Sequence, residues 1–210
     1  MKNTMMRTTF RCARRSVEIV EMKDQLGLFG AGPALPEGFV YERELISRTH
    51  EAQLLENFKE LPFKEFEFHG YLGKRRVVSF GWRYNFDESK LQKSNDIPEF
   101  LLPVREAAST FAGLKPADLQ HVLVTEYSAG AAIGWHRDKA VFGDVIGISL
   151  LSSCVFRLRR KNGSKWDRVS VTAEPRSAYL MRGPSRTVWD HSIPPVDALR
   201  YSITFRNLLE

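Results

Sequence analysis

The stretch Arg200-Tyr201-Ser202-Ile203-Thr204-Phe205-Arg206 alternates polar and apolar side chains along its whole length. This period of two is that of a β-strand, in which successive side chains point to opposite faces. The apolar face consists of Tyr201, Ile203 and Phe205, and the polar face consists of Arg200, Ser202, Thr204 and Arg206. We therefore predict a strand that packs one face into a core and turns the other toward an interior or toward solvent.

Strand-like stretches precede this one through most of the second half of the chain. They are short, rich in β-branched or alternating residues, and separated by turn-forming residues. The predicted strands are 121–127, 145–150, 154–160, 165–171, 177–181, 187–193 and 200–207. Asn162-Gly163 lies between two of them and is a strong hairpin signal. So many short strands predict a sandwich or a barrel, and a double-stranded β-helix, or jelly roll, fits best.

Helical periodicity is confined to the first half of the chain. Apolar residues recur at helical spacing from Thr49 to Leu61, and Pro62 ends the pattern. A second amphipathic stretch begins near Pro98 and stops at Gly113. We therefore expect helices to dominate before residue 120. The predicted fold class is α+β, a jelly-roll barrel with N-terminal helices packed on one side.

Length and composition limit the class of protein. The chain has 210 residues, of which 43% are hydrophobic and 27% charged, as in an ordinary globular domain. It holds no apolar run near the roughly 20 residues needed to span a bilayer. Its two cysteines are too few for a disulfide framework, which favours an intracellular, cytoplasmic location. We expect one catalytic domain, a monomer, and no association with membranes.

The positive charge is unevenly distributed. The net charge is +6, and residues 1–21 hold five basic and two acidic side chains, so half of the excess lies there. We expect residues 1–21 to be a basic flexible leader. An organelle-targeting segment or an upstream extension before Met22 are the alternatives. Residues 22–210 form the predicted catalytic domain, whose share of the charge gives weaker support to a polyanionic partner such as nucleic acid.

Three residues with metal-ligand chemistry occur in the strand region. His136 and Asp138 are two positions apart, and on extended backbone such side chains leave the same face. His191 follows 55 positions after His136, in a stretch that a jelly roll can bring alongside. Two imidazoles and one carboxylate on one face of an octahedron leave room for a bidentate cosubstrate and dioxygen, as in non-haem iron(II) oxygenases. A polar surface pair is the ordinary alternative for a His-x-Asp tripeptide.

The two arginines of the 200–206 stretch strengthen the metal hypothesis. If Arg200 and Arg206 line an interior, each guanidinium needs a carboxylate, because an unpaired buried charge costs several kcal/mol. A dicarboxylate such as 2-oxoglutarate supplies one partner, and Asp138 is a candidate for the other. The alternative is an edge strand with two solvated arginines.

With these residues assembled, residues 22–210 resemble the AlkB family of iron(II)- and 2-oxoglutarate-dependent dioxygenases, which demethylate alkylated bases in DNA or RNA. His136-Arg137-Asp138 looks like the segment with the family's first two iron ligands. The segment from Gly183 to His191 looks like the one that carries the third. The resemblance implies an Fe(II) site at His136, Asp138 and His191, with 2-oxoglutarate as cosubstrate and O2 as oxidant.

The resemblance also implies a cosubstrate site. Residues 200–206 are similar to the family's Arg-x-Asn-x-Thr-x-Arg motif, and Tyr127 matches a tyrosine used for the same cosubstrate. It implies that Arg200 and Tyr127 hold the far carboxylate of 2-oxoglutarate. Ser202 and Thr125 stand where the family has Asn. The cosubstrate-binding residues expected on this basis are Thr125, Tyr127, Arg200, Ser202, Thr204 and Arg206.

Basic and aromatic residues around 66–90 occupy the place of the family's nucleotide-recognition lid. Basic side chains neutralise phosphates, and an aromatic ring stacks on a base flipped out of its strand. A second basic group flanks the Asn162-Gly163 hairpin. The predicted substrate-binding residues are Arg76, Trp82, Tyr84, Arg160 and Arg186. The alternative is a β-hairpin whose alternating aromatics, Phe80 to Phe86, are core and whose basic residues are solvated.

We therefore predict oxidative demethylation of N-alkylated bases in DNA or RNA, in a single strand or at a flipped base. Two alternatives stay open. One is the same iron chemistry on a protein or small molecule, since a fold does not fix the substrate. The other is a non-catalytic nucleic-acid-binding module. His50, His69 and His121 have no ligand spacing and receive no role.

Overall fold

In the computed structural model, the described residues are 34–68, 71–85 and 90–209. The predicted leader, 1–21, lies outside them, as do His69 and Phe86. Within the described residues, no helix is long and apolar enough to cross a membrane.

Thirteen strands and three α-helices make up the described part of the chain. The strands are β1 (Phe39–Glu42), β2 (Lys64–Phe68), β3 (Tyr71–Phe80), β4 (Trp82–Asn85), β5 (Lys90–Lys93), β6 (His121–Tyr127), β7 (Ile133–His136), β8 (Phe142–Leu150), β9 (Cys154–Asn162), β10 (Lys165–Ala173), β11 (Ala178–Met181), β12 (Asp190–Ile193) and β13 (Arg200–Leu208). The helices are α1 (Arg48–Phe58), α2 (Leu102–Ala112) and α3 (Pro184–Thr187), with short 3-10 turns at Glu99–Leu101 and Pro116–Asp118.

Two antiparallel sheets form the barrel. The major sheet has the strand order β1-β11-β8-β13-β6-β3-β2, and the minor sheet has the order β10-β9-β12-β7. Strands β4 and β5 form a separate two-stranded ribbon. A hairpin joins β9 to β10, with Asn162 paired to Lys165 and Gly163 at a φ of +60°, where glycine is favoured. This architecture confirms the predicted jelly roll.

The helices cover one face of the major sheet. In α1, Leu54 and Phe58 are buried, and in α2, Val104 and Ala108 are buried against the same sheet. Helix α2 ends at Gly113, which adopts a left-handed conformation as its C-cap. The predicted packing of N-terminal helices on one side is therefore confirmed.

Strand β13 lies between two hydrophobic cores, one between the major sheet and the helices and the other between the two sheets. Ile203 and Phe205 are fully buried in the core between the major sheet and the helices. The opposite face lies between the two sheets, and its four polar side chains are at most 9% exposed: Arg200, Ser202, Thr204 and Arg206. The polar face therefore lines the barrel interior rather than facing solvent.

Two predictions about local structure, and one of the alternatives, were wrong. Helices do not dominate before residue 120, because five of the strands lie there. Two of these strands have a weak sequence signal: β1 has only four residues, and β2 (Lys64–Phe68) alternates charged with aromatic residues. The stretch 187–193 is not one strand, since α3 ends at Thr187 and β12 begins at Asp190. The aromatics from Phe80 onward do not share one strand. Gly81 breaks it at a φ of +76°, where a Cβ would lie 2.1 Å from the carbonyl oxygen of Gln120.

Candidate active site

Three side chains with metal-ligand chemistry meet inside the mouth of the barrel. His136, Asp138 and His191 each offer one ligand atom, and these atoms lie within 4.8 Å of one another. His136 and His191 are paired across β7 and β12, so their rings lie 4.2 Å apart between centroids. Asp138 follows the end of β7, and its Oδ2 lies 3.6 Å from Nε2 of His191. The register of the minor sheet thus brings together residues that are 55 positions apart.

Hydrogen bonding orients the His136 ring. Its Nδ1 lies 2.9 Å from the carbonyl oxygen of Gly134. A carbonyl oxygen only accepts, so this contact requires the proton on Nδ1 and leaves the lone pair on Nε2. In metal sites, the ring nitrogen of a histidine that does not bind the metal commonly donates such a hydrogen bond, which fixes the orientation of the imidazole.

Asp138 is anchored through one of its two oxygens. The Arg206 guanidinium donates to Oδ1 from Nε at 2.9 Å and lies 2.6 Å from it through Nη2. Oδ2 is buried and has no hydrogen-bond partner in the described part of the chain. Burial by itself raises the pKa of Asp138, but the Arg206 charge, joined at low pH by the protonated histidines, outweighs it and holds the pKa well below its usual range. The carboxylate is therefore ionised, with one oxygen paired and the other directed at the histidines.

The buried histidines of the site stay neutral at physiological pH. Burial lowers the pKa of His191 to about 3, even though the Asp138 charge opposes the shift. His121, to which no role was given from sequence, lies 3.3 Å through Nδ1 from Nη1 of Arg206. Burial and then the Arg206 charge lower its pKa well below the ordinary value. The alternation of side chains along β6 could have revealed this position, because His121 lies on the same inward face of the strand as Tyr127.

The interior also holds the buried guanidinium of Arg200. The Arg200 side chain is among the largest fully buried ones, at 1% exposure. Its Nε and Nη1 have no hydrogen-bond partner among the described residues. Its guanidinium carbon lies 4.7 Å from the centre of the Tyr127 ring, and the Tyr127 hydroxyl lies 3.3 Å from Oγ of Ser202. A buried cation with free donors suits a carboxylate, which is how 2-oxoglutarate would fit this face.

The chain matches the 2OG-Fe(II) oxygenase superfamily over residues 42–206, a range that contains every residue of this site. It belongs to that superfamily. The oxygenase therefore uses Fe(II), 2-oxoglutarate and O2. Oδ2 of Asp138 and the Nε and Nη1 of Arg200, which have no hydrogen-bond partner among the described residues, fit the metal ion and the cosubstrate respectively.

Within the superfamily the oxygenase is of the AlkB family. It is 30% identical over 149 residues to the Alkylated DNA repair protein ALKBH8 homolog of Arabidopsis thaliana. It is 30% identical over 170 residues to the tRNA (carboxymethyluridine(34)-5-O)-methyltransferase ALKBH8 of Mus musculus. These matches cover 59% and 77% of this chain, which spans only 42% and 25% of the respective relatives. The solved structure of OsALKBH1 shares the fold, with a TM-score of 0.61 and 17% identity over 83% of this chain and 99% of that one.

The remaining cosubstrate residues named from sequence lie on the same inward face. Thr125 is paired with Ser202 across β6 and β13, and both are buried. Thr204 is one row further along β13, between Ser202 and Arg206, and is 8% exposed. The oxygenase therefore brings all six predicted cosubstrate residues together between its sheets.

Arg76 does not point toward this face. Its guanidinium donates to both carboxylate oxygens of Glu126, at 2.7 and 2.8 Å. Glu126 also accepts a hydrogen bond from the Tyr201 hydroxyl, on the face of the sheet that packs against the helices. Arg76 therefore forms an ion pair away from the inward face, with its side chain 50% exposed, and its substrate role stays a prediction.

The adjacent residue, Arg75, faces the interior instead. It is paired with Tyr127 across β3 and β6, and Tyr127 is paired with Arg200 across β6 and β13. Its guanidinium stacks 3.9 Å from the centre of the Phe66 ring. Burial lowers the pKa of Arg75, with Tyr127 opposing the shift. The register of β3 against β6 decides which of the two arginines faces the interior, and the sequence pattern alone did not reveal it.

Arg186 also has a different position from the one expected. Its side chain is buried and donates to the backbone carbonyls of Lys139, Phe142 and Gly143, at 2.7 to 3.0 Å. These carbonyls belong to the loop that follows Asp138 and to the start of β8. The predicted substrate role is thus corrected: Arg186 fixes the loop beside a candidate metal ligand.

The other three predicted substrate residues lie nearer the surface. Trp82 and Tyr84 are half-buried on β4, and the Lys139 ammonium lies 5.2 Å from the centre of the Tyr84 ring. Lys139 follows Asp138 in the chain, so Tyr84 lies beside the side chain of the residue next to a candidate metal ligand. Arg160 is exposed, pairs with Asp167 at 2.9 Å and stacks 5.0 Å from Trp189. Tyr84 therefore retains a plausible position for contact with a substrate.

Proposed function

We propose that this oxygenase oxidatively demethylates N-alkylated bases of a nucleic acid. The observation that carries the chemistry is an interior between the two sheets that holds both the His136, Asp138 and His191 cluster and the buried Arg200, whose Nε and Nη1 have no hydrogen-bond partner among the described residues. The nucleic-acid part is supported by the names of the AlkB-family relatives, one of which is an alkylated DNA repair protein homolog.

Under this proposal, Nε2 of His136, Oδ2 of Asp138 and a ring nitrogen of His191 hold the iron. Arg206 keeps Oδ1 of Asp138 engaged, which turns Oδ2 toward the metal. Arg186 holds the loop after Asp138 in place through its three carbonyl contacts. Such supporting contacts commonly contribute 10-fold to 100-fold to metal affinity or activity.

Arg200 and Tyr127 bind the far carboxylate of 2-oxoglutarate. A guanidinium binds a carboxylate through two parallel hydrogen bonds, and the Tyr127 hydroxyl supplies a further donor. Phe156 of the minor sheet and Tyr179 of the major sheet stack with their ring centroids 4.3 Å apart, and Phe156 also stacks on His191. These rings exclude water from the space between the sheets.

When bound, iron and 2-oxoglutarate supply the oxidation: O2 gives one oxygen atom to succinate as CO2 leaves, and the other to a C–H bond of the methyl group. The resulting N-hydroxymethyl group releases formaldehyde and leaves the N–H of the base. The role of the chain is to hold the target carbon in register, and under this proposal Arg75 and Tyr84 would contact the substrate base; the inward register of Arg75 and the contact of Tyr84 with Lys139 support this.

A direct test measures succinate and demethylated base together. The protein is loaded with Fe(II) and 2-oxoglutarate without oxygen, mixed with single-stranded DNA or RNA that carries methylated bases, and exposed to air. We expect succinate and formaldehyde in equal amounts, with loss of the methyl mark. Succinate without any change in the oligonucleotides would contradict the proposal and favour a protein or small-molecule substrate.

A matched pair of histidine variants tests the metal assignment. His136→Ala removes a proposed ligand, whereas His50→Ala removes a half-buried histidine of α1 that lies apart from the cluster. We expect the first variant to lose both products and the second to retain them. Full activity of His136→Ala would refute the assignment.

A base of tRNA is the second candidate substrate, because the mouse relative is named as a tRNA-modifying enzyme. The methyltransferase activity in that name is not transferred here, since the chain spans only 25% of that protein. The oligonucleotide panel therefore includes modified tRNA. Oxidation of tRNA without oxidation of methylated DNA would decide for this candidate.

A further inference from the structure

The outer face of the minor sheet carries basic and aromatic side chains that the proposed reaction does not use. His136, Leu158 and His191 point inward, so their neighbours on each strand point outward. We call the following outward side chains the outer basic surface: Trp135, Arg157, Arg159, Lys161, Trp166 and Arg168.

Aromatic rings hold the arginines of this surface in place. The Arg159 guanidinium lies between two indoles, 4.4 Å from the centre of Trp135 and 4.3 Å from that of Trp166. The Arg157 guanidinium lies 5.0 Å from the same Trp135 ring. Cation–π stacking of this kind restricts the side chains before a ligand arrives, which reduces the entropy lost on binding.

The positive charge of the surface exceeds its negative charge. Asp190 is the one acidic residue at the outward positions of these four described strands, and it is shared between Arg137 and Arg159, each at 3.2 Å. Arg157 donates to the hydroxyl of Ser192 rather than to a carboxylate. Lys161 and Arg168 are exposed. Such an excess of positive charge can neutralise the phosphates of a single-stranded nucleic acid. The exposed ring of Trp166 beside it can stack on a base of the same strand.

The outer basic surface is continuous with the metal site. Trp135 and Asp190 immediately precede the candidate ligands His136 and His191. Strand β7 is the edge of the minor sheet, and His136 is exposed there. A polymer lying on the outer face therefore reaches the mouth of the barrel by passing around a single strand.

We propose that the outer basic surface binds the phosphate backbone of the nucleic-acid strand whose target base enters the site. This inference rests on the proposed function and adds the surface by which a strand, rather than a free nucleoside, is recognised. Lys161 and Arg168 contribute the contacts most open to phosphates, and Trp166 contributes a face for one base.

Two charge-reversed double variants of the full chain test the surface. Lys161→Glu with Arg168→Glu changes the outer basic surface, and Arg43→Glu with Arg48→Glu makes the same change of charge at exposed positions near α1. Binding of a fluorescein-labelled, unmodified single-stranded oligonucleotide is measured by anisotropy across a salt series. Thermal unfolding followed by circular dichroism checks that both variants are folded.

We expect the surface variant to bind at least about tenfold more weakly at low salt, because two phosphate contacts are lost. The slope of log K against log salt should fall by about 1.4, since each contact on a single strand contributes about 0.7. The control variant should bind within about twofold of the parent chain. Equal weakening in both variants, or in neither, would overturn the proposal.

Oxidation of methylated oligonucleotides by the parent chain separates this inference from the proposed function. If the parent chain oxidises them while the two variants bind alike, the outer basic surface is refuted and the function stands. If the parent chain neither binds nor oxidises any oligonucleotide, both fail. Alanine at Trp166 gives an independent check, with an expected loss of about 1 to 3 kcal/mol of base stacking, or roughly fivefold to 150-fold in affinity.

Discussion

Arg206 and Asp138 form a buried ion pair in which Nη2 lies 2.6 Å from Oδ1. The side chains are 11% and 7% exposed, so water contributes little to screening the pair. The other carboxylate oxygen, Oδ2, lies 3.6 Å from Nε2 of His191. One carboxylate thus joins the last strand of the barrel to the candidate metal cluster, so the ion pair and the proposed metal site share the same residue.

Replacement of Arg206 by Gln should destabilise the metal-free protein. It leaves the Asp138 charge buried without its cation, and breaking a buried pair from one side costs about 3 to 5 kcal/mol. The free energy of unfolding is measured by urea denaturation in the presence of a chelator. Arg160→Gln is the control, because its pair with Asp167 is 45% and 35% exposed and should contribute less than about 1 kcal/mol. Equal losses in the two variants would contradict the account of the pair.

The metal-free protein should lose stability as pH falls below about 6.5. Burial holds the pKa of folded His191 at about 3, against 6.5 for the ordinary group, so between these values the unfolded chain binds a proton that the folded chain does not. The contribution approaches 1.4 kcal/mol per pH unit. The lowered pKa of Asp138 adds a further loss below pH 4. His191→Gln should flatten the curve between pH 4 and 6, and an unchanged slope would refute the cause.

Much of the site followed from alternation along β13. A period of two put Arg200 and Arg206 on one face, and the cost of burying them called for carboxylates, one of which is Asp138. The His136, Asp138 and His191 cluster followed from ligand spacing and the resemblance. Such features are readable because they depend on local phase and on residue chemistry.

Features that depend on non-local pairing could not be read in this way. Arg75 and Arg76 are adjacent, and only the register between β3 and β6 decides which one faces Tyr127. The phase of β6 puts His121 on the inward face, but its contact with Arg206 depends on the pairing of β6 with β13. The short β1 lacks enough residues to show a period, so its pairing with β11 was also hidden.

Arg200→Gln should raise the KM for 2-oxoglutarate while leaving iron affinity nearly unchanged. Hydrogen bonds to a charged group contribute about 1.5 to 3 kcal/mol each, so the expected increase is about tenfold to more than 100-fold. Tyr127→Phe removes one donor and should raise KM by about tenfold. Steady-state kinetics of succinate formation give KM, and anaerobic titration calorimetry gives iron affinity. An unchanged KM in both variants would remove these residues from the cosubstrate site.

Arg186→Met should reduce stability and iron affinity without changing recognition of the nucleic acid. The guanidinium donates to three backbone carbonyls around residues 139–143, and Met retains the length of the side chain but none of these donors. Leaving buried carbonyls unpaired should cost on the order of 2 to 4 kcal/mol of unfolding free energy. The loop would then hold Asp138 less firmly, so iron affinity should fall by about tenfold or more. The anisotropy of a labelled oligonucleotide measures recognition of the nucleic acid. A lower affinity for the oligonucleotide in a variant of unchanged stability would restore Arg186 as a substrate contact.

Arg186→Lys separates charge from geometry: a single ammonium cannot reach three carbonyls at once, so it should recover only part of the stability.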